Sequence, residues 1–89
     1  MKIEFDPIKD AKNIKTHGVS LAFALDLEWE TALIWPDVRK DYGEDRRCAL
    51  VIQGERLYLV AYTPRGKKRR IISLRKANAR EVKRYVEQS

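Results

Sequence analysis

Cysteine and histidine are almost missing from this chain: it has one of each, Cys48 and His17, in 89 residues. A single cysteine excludes an internal disulfide and fits a reducing compartment. A single histidine excludes a His-pair mechanism within one chain. There is no CxxC pair, no HExxH helix, no Walker loop and no Rossmann glycine pattern, so neither a metal nor another cofactor is expected. No apolar run is long enough to span a bilayer. The opening residues, MKIEFDPIKD, lack the apolar stretch of a signal peptide. A cytoplasmic protein without a membrane partner is expected. The length suits one domain, residues 1–89, with a modest core. Internal repeats, low-complexity tracts and linkers are absent as well.

What the chain does have is positive charge, unevenly placed. Residues 65–84 carry ten Lys and Arg against one acid, Glu81, a net of about +9. The rest carries nine bases against twelve acids, about −3. Such asymmetry suggests a basic surface facing a polyanion or an acidic partner, with a merely solubilising face as the alternative.

Periodicity and punctuation predict the elements. KIEF alternates and reads as a short strand. DPIKDAKNIKTHG reads as a helix, with Asp6 as N-cap, Pro7 in its first position and Gly18 as the left-handed stop. Ile8, Ala11 and Ile14 share one side of it, and Lys9, Lys12 and Lys15 a neighbouring stripe. SLAFALDLEW predicts a second helix from Ser20, apolar on most sides and therefore well buried. TALIW predicts a strand ended by Pro36, followed by the loop PDVRKDYGED. RRCALVI, RLYLVAYT and KKRRIISLR predict a meander with turns at QGE and PRG, the second placing Arg65 at a hairpin tip. NAREVKRYVEQ predicts a final helix, because Asn78 and Glu81 have capping-box spacing. The order β-α-α-β-β-β-β-α implies an α+β fold: a mostly antiparallel sheet, two N-terminal helices packed on one face, and a C-terminal helix.

Candidate functional residues follow from these placements. Cys48, inside RRCALV, reads as a small core residue rather than a nucleophile. His17 ends the first helix, where it either favours the helix dipole or acts in acid–base chemistry. Arg65, on a turn, is free to reach a ligand. Strict alternation puts Ile71, Ser73 and Arg75 on one face of the last strand, and Arg70, Ile72, Leu74 and Lys76 on the other. A half-buried Arg75 needs a partner: Glu44, Glu81 or a substrate phosphate. Glu44 and Arg46 stand at a strand's mouth, where they can serve proton transfer and phosphate binding or pair with each other. Tyr42, Tyr58 and Tyr62 are able to stack bases, or to fill the core.

The segments FDPIKDAKNIKTHGVS, DVRKDYGEDR, TPRG and RIISLRKANAREVKRY, in this order and spacing, resemble the BrnT family of type II toxins. The likeness runs from Phe5 to Tyr85; HGVS at 17–20 and the RIIS…R block at 70–75 are its sharpest pieces. It departs at Thr16, at the LAFA after HGVS, at Pro64 and at Arg47. The resemblance implies a RelE-like fold and a toxin that cleaves RNA and stops translation. It also implies neutralisation by a co-encoded ribbon-helix-helix (BrnA-like) antitoxin, through which the complex binds operator DNA. On that reading Arg65 and Arg75, helped by Arg46, stabilise charge on phosphorus, and Glu44, Lys15 or His17 handles protons. Lys15, Lys67, Lys68, Arg70 and Lys76 bind the RNA backbone. A basic nucleic-acid-binding or protein-interaction module without catalysis is the alternative.

Overall fold

A computed structural model describes residues 1–88 of the chain. Five strands make one sheet: β1 (Lys2–Glu4), β2 (Glu28–Pro36), β3 (Arg47–Gln53), β4 (Arg56–Arg65) and β5 (Lys68–Lys76). Their spatial order is β1-β5-β4-β3-β2. The pairs from β2 to β5 are antiparallel, and β1 joins β5 in parallel. Helix α1 (Pro7–His17) and a 3-10 helix (Leu21–Asp26) connect β1 to β2, and α2 (Ala79–Gln88) follows β5. None of the described helices is long and apolar enough to cross a membrane. The α+β class and the mostly antiparallel sheet agree with the sequence reading.

The helix expected from Ser20 to Trp29 is a six-residue 3-10 turn, and β2 already begins at Glu28. The Ala24 carbonyl explains why. In an α-helix it would accept from the N–H of residue 28. Here it accepts from Leu27 N–H at 3.4 Å and from the Trp29 indole at 2.8 Å. With its carbonyl taken by these two donors, the helix ends after two 3-10 turns. Asp10, on α1, anchors its start by accepting from the Ser20 hydroxyl and the Leu21 N–H.

The core lies between one sheet face and the 3-10 helix. Leu21, Ala24 and Leu27 pack on Ala49, Val51, Val60, Tyr62, Ile71 and Leu74. Helix α1 is not part of that layer in the expected way. Ile8 is 80% exposed, Ile14 is 47% exposed, and the buried residue of the helix is Asn13. Asn13 accepts from Leu74 N–H (3.2 Å) and donates to Leu74 C=O (2.8 Å) and Val19 C=O (2.8 Å). It therefore satisfies the backbone of β5 beyond the point where β1 ends. A sheet edge needs such partners more than it needs another isoleucine.

Two further corrections bear on function. The β4–β5 turn is Gly66–Lys67, since Arg65 pairs with Lys68, so Arg65 closes β4 rather than capping a hairpin tip. Gly66, at φ 59°, takes the left-handed turn position. Pro64 sits in β4 past the last β3 pair, Arg47–Tyr62, where the missing N–H leaves no ladder gap toward β3. The second correction is a bulge: Ala61 pairs with Ser73 and Tyr62 with Ile71, so Ile72 is an extra residue.

Candidate functional site

The bulge re-sorts β5. Before it, Ile71 shares the core face with Tyr62; after it, Leu74 shares that face with Val60. Arg70, Ser73 and Arg75 are thereby placed together on the other face, against the alternation expected from sequence. Thr63 lies opposite Arg70, and Leu59 opposite Arg75. Arg65, two residues beyond Thr63 on β4, continues the same face.

The loop 37–46 brings Glu44 to this face. Its carboxylate accepts a 2.7 Å hydrogen bond from the Thr63 hydroxyl and lies 3.6 Å from the Arg65 guanidinium. The Thr63 hydrogen bond holds the Glu44 carboxyl below its ordinary pKa; Arg65, Arg46 and Lys9 reinforce it against partial burial. Lys9 belongs to α1, so the helix also reaches the cluster. The Arg46 guanidinium stacks on the Tyr42 ring at 3.7 Å. Its Nε–H is buried and finds no acceptor among the described residues. Leaving a donor unmet costs about 1–3 kcal/mol, and such costs concentrate where function needs the group.

The loop itself is tied down at its root. Asp37 is buried and takes two side-chain hydrogen bonds from Arg39, at 2.9 and 2.8 Å, while its N–H donates to Arg46 C=O. The Arg39 hydrogen bonds pull the Asp37 carboxyl down to about 2, against the opposing effect of burial. Asp37 therefore stays ionised at neutral pH, and its backbone N–H holds Arg46 just before β3. Cys48 lies just below, buried, with burial pushing its thiol up; it is the inert core residue expected.

The two outer arginines are paired. Arg70 meets Glu4 on β1 at 3.0 Å. Arg75 makes a bidentate pair with Glu81, both contacts 2.9 Å. Glu81 also closes the expected capping box, exchanging 2.9 Å hydrogen bonds with Asn78 in both directions. Burial alone would raise the Glu81 carboxyl, but Arg75 and the Asn78 N–H outweigh it and the net shift is downward.

His17 lines a cleft of about 270 Å³ with Lys9, Lys12 and Ser73. Lys9 is common to the cleft and the Glu44 cluster. The structure thus brings together Glu44, Arg46, Arg65, Arg70 and Arg75 on one face, with His17 beside it. Lys15 and Lys76 are exposed and lie outside both groups, while Lys67 and Lys68 line a different cavity. Sequence reasoning missed Thr63, Lys9 and Lys12. The lysine stripe on α1 was a signal for the last two; nothing local distinguishes Thr63. Among the described residues no group of three His, Cys, Asp or Glu side chains converges.

Residues 5–81 match the protein family described as the ribonuclease toxin, BrnT, of type II toxin-antitoxin systems. Comparison with individual curated proteins gives no match.

Proposed function

Given that the chain belongs to the BrnT family of ribonuclease toxins, we propose that it is a metal-independent endoribonuclease that arrests translation, with its active centre on the Glu44 face. The observation that carries this reading is an ionised carboxylate held by Thr63 and flanked by Arg65, Arg46 and Lys9. Cleavage through the 2′-hydroxyl needs a proton acceptor, cations for the crowded phosphorus and a donor for the leaving oxygen. Glu44 takes the proton. Arg65 and Arg46 stabilise the developing charge; Arg65 is half exposed, and its single contact with Glu44 at 3.6 Å is loose enough to exchange for phosphate. Arg46 brings a donor that no described residue satisfies. Lys9 or His17, on the adjoining cleft, returns a proton to the leaving group.

Arg75 has a different part in this proposal. Both edges of its pairing with Glu81 are engaged, so it positions α2 beside the site and adds field rather than direct contact. Arg70, Lys67 and Lys68 bind flanking phosphates, with Lys15 and Lys76 contributing at longer range. The RelE-like reading of the sheet, a ribbon-helix-helix, BrnA-like antitoxin and operator binding through that antitoxin belong to the same proposal. A partner that covers the basic face with acidic residues would inhibit by occlusion.

Expression from a tightly controlled promoter tests it. Labelled amino-acid incorporation should fall and RNA should fragment, and the purified protein should cleave RNA in excess EDTA. Glu44→Gln should abolish cleavage while RNA binding persists. Normal incorporation with intact RNA, in cells that contain folded protein, overturns the toxin reading. Unchanged cleavage by Glu44→Gln moves the chemistry elsewhere.

A further inference from the structure

A sizeable cavity lies away from the Glu44 face. It encloses about 530 Å³ on the core side of the β4–β5 hairpin, within the range of about 300–1,000 Å³ that holds small ligands. Trp29 and Tyr62 form one wall, meeting edge to face with centroids 5.5 Å apart. The Arg69 guanidinium lies 4.1 Å above the Trp29 ring and 5.4 Å from the Tyr62 ring. Arg47, Lys67 and Lys68 complete the cationic lining, and no carboxylate is among the lining residues. Among the described residues, Arg47 is the only one of these four cations with an acidic partner, Asp45 at 2.9 Å. The Trp29 ring is fixed in place by its indole hydrogen bond to Ala24 C=O.

Four cations around a rigid aromatic wall make a surface that repels cations and, in water, attracts anions carrying a flat apolar group. We propose that this cavity binds a nucleotide of the RNA substrate that flanks the cleaved bond, its base stacked on the Arg69–Trp29 pair and its phosphates held by Lys67 and Lys68. The proposal rests on the nucleolytic reading above and extends it to a subsite. The connection is short. Arg65, on the Glu44 face, and Lys68, at the cavity, are a paired couple joined by the two-residue turn Gly66–Lys67. A single strand leaving Arg65 reaches the cavity by passing over one turn. Alternating cations and stacking platforms are how sequence-tolerant single-strand binders hold their ligand. An acidic peptide shares the charge but has no use for the stacked arginine and indole.

The chain has two tryptophans, so Trp35→Phe leaves Trp29 as the only indole reporter. A fluorescently labelled hexanucleotide with 2′-O-methyl groups, which cannot be cleaved, is titrated against this variant. Trp29 emission should change saturably, with the same midpoint as the RNA anisotropy. Adding Lys67→Ala and Lys68→Ala, two exposed residues without ion pairs among the described residues, should weaken binding about tenfold. It should also reduce the log–log salt slope by about 1.4, at roughly 0.7 per phosphate contact on a single strand. RNA that binds with Trp29 silent, or with an unchanged slope in the lysine variant, overturns the subsite and leaves the Glu44 face intact. A Trp29 response to oligoglutamate but not to RNA assigns the cavity to an acidic protein segment and likewise overturns it. Failure of the parent protein to bind RNA at all overturns the nucleolytic reading together with the subsite.

Discussion

Replacing Arg75 by alanine should unfold the protein more readily without any change to the core. Arg75 and Glu81 exchange two 2.9 Å contacts, and their side chains are one-third and one-fifth exposed. Breaking a fully buried pair costs about 3–5 kcal/mol, and an exposed pair about 0–1 kcal/mol. This pair lies between, so a loss of about 2 kcal/mol is expected. For a domain of this size that lowers Tm by about 8–16 °C. Most of the loss comes from a half-buried carboxylate left without its cation. Glu81→Gln removes that charge, and glutamine still fits the third position of a capping box. Arg75→Ala/Glu81→Gln should therefore recover about 1 kcal/mol over Arg75→Ala alone. The pH dependence supplies a second check. Glu81 titrates below its ordinary 4.5 in the folded protein. The pair's contribution is thus complete above that value and lost as pH falls through the folded pKa. The gap between wild type and Arg75→Ala should close in acid. Thermal melts of the four proteins at neutral pH and near pH 3 decide the matter. A wild-type Tm for Arg75→Ala, or a double variant no more stable than the single, refutes the orphaned-carboxylate argument.

Arg65→Ala should contrast with it, since an exposed arginine with one loose contact holds little together. Stability should change by less than about 0.5 kcal/mol while cleavage falls about 10²-fold; full activity removes Arg65 from the site. Asp37→Asn should destabilise by about 1–2 kcal/mol at neutral pH, discounted because Arg39 is largely solvated. Because Asp37 is depressed from 3.8 to about 2, the difference from wild type should fade as pH falls across that interval. An undiminished gap at pH 2 would show that the carboxylate charge is not what anchors the loop. Cys48 should resist thiol reagents in the native state and react once denaturant opens the sheet. Rapid native labelling contradicts its place in the core.

Local chemistry was legible wherever a single residue decides the backbone. Asp6, Pro7 and Gly18 mark both ends of α1, and Gly18 does adopt φ 73°. Asn78 and Glu81 cap α2 in both directions. The meander of β3, β4 and β5 follows from alternation and turn residues. The uneven charge suggested a basic surface, and Arg65, Arg70 and Arg75 of that segment share one face of the sheet. What failed depended on tertiary partners. LAFALD has helical composition, yet an indole five residues downstream of Ala24 takes the carbonyl that would have continued the helix. The apolar stripe of α1 predicted its buried side, and a buried asparagine overrode it because β5 had unmet backbone groups. The Ile72 bulge was not singled out in sequence: the Ile71–Ile72 doublet in RIIS fits a strand apolar on both faces as well as it fits a bulge.

The last two failures, at Asn13 and at the Ile72 bulge, bear on the same piece of the molecule. The outer edge of β5 is covered by β1 at Lys68, Arg69 and Arg70, and then by Asn13 at Leu74. Between the two covers stand Ile71, the bulged Ile72 and Ser73. Without the bulge, Arg70 and Arg75 would fall on opposite faces, five residues apart in a strand of period two. With it, they share a face with Thr63 and Arg65. The Asn13 clamp then sets the height at which α1 crosses that edge. Lys9, one turn before Asn13, and His17, one turn after, both come to the cleft beside Ser73. An apolar residue at 13 would bury more surface but leave Leu74 N–H and C=O unmet and the helix free to slide along the edge. The polar choice fixes a register between helix and strand, and that register places Lys9, Lys12 and His17 of α1 around Ile72 and Ser73 of β5. The site is thus assembled by backbone accounting at one sheet edge, a quantity that no window of neighbouring residues contains.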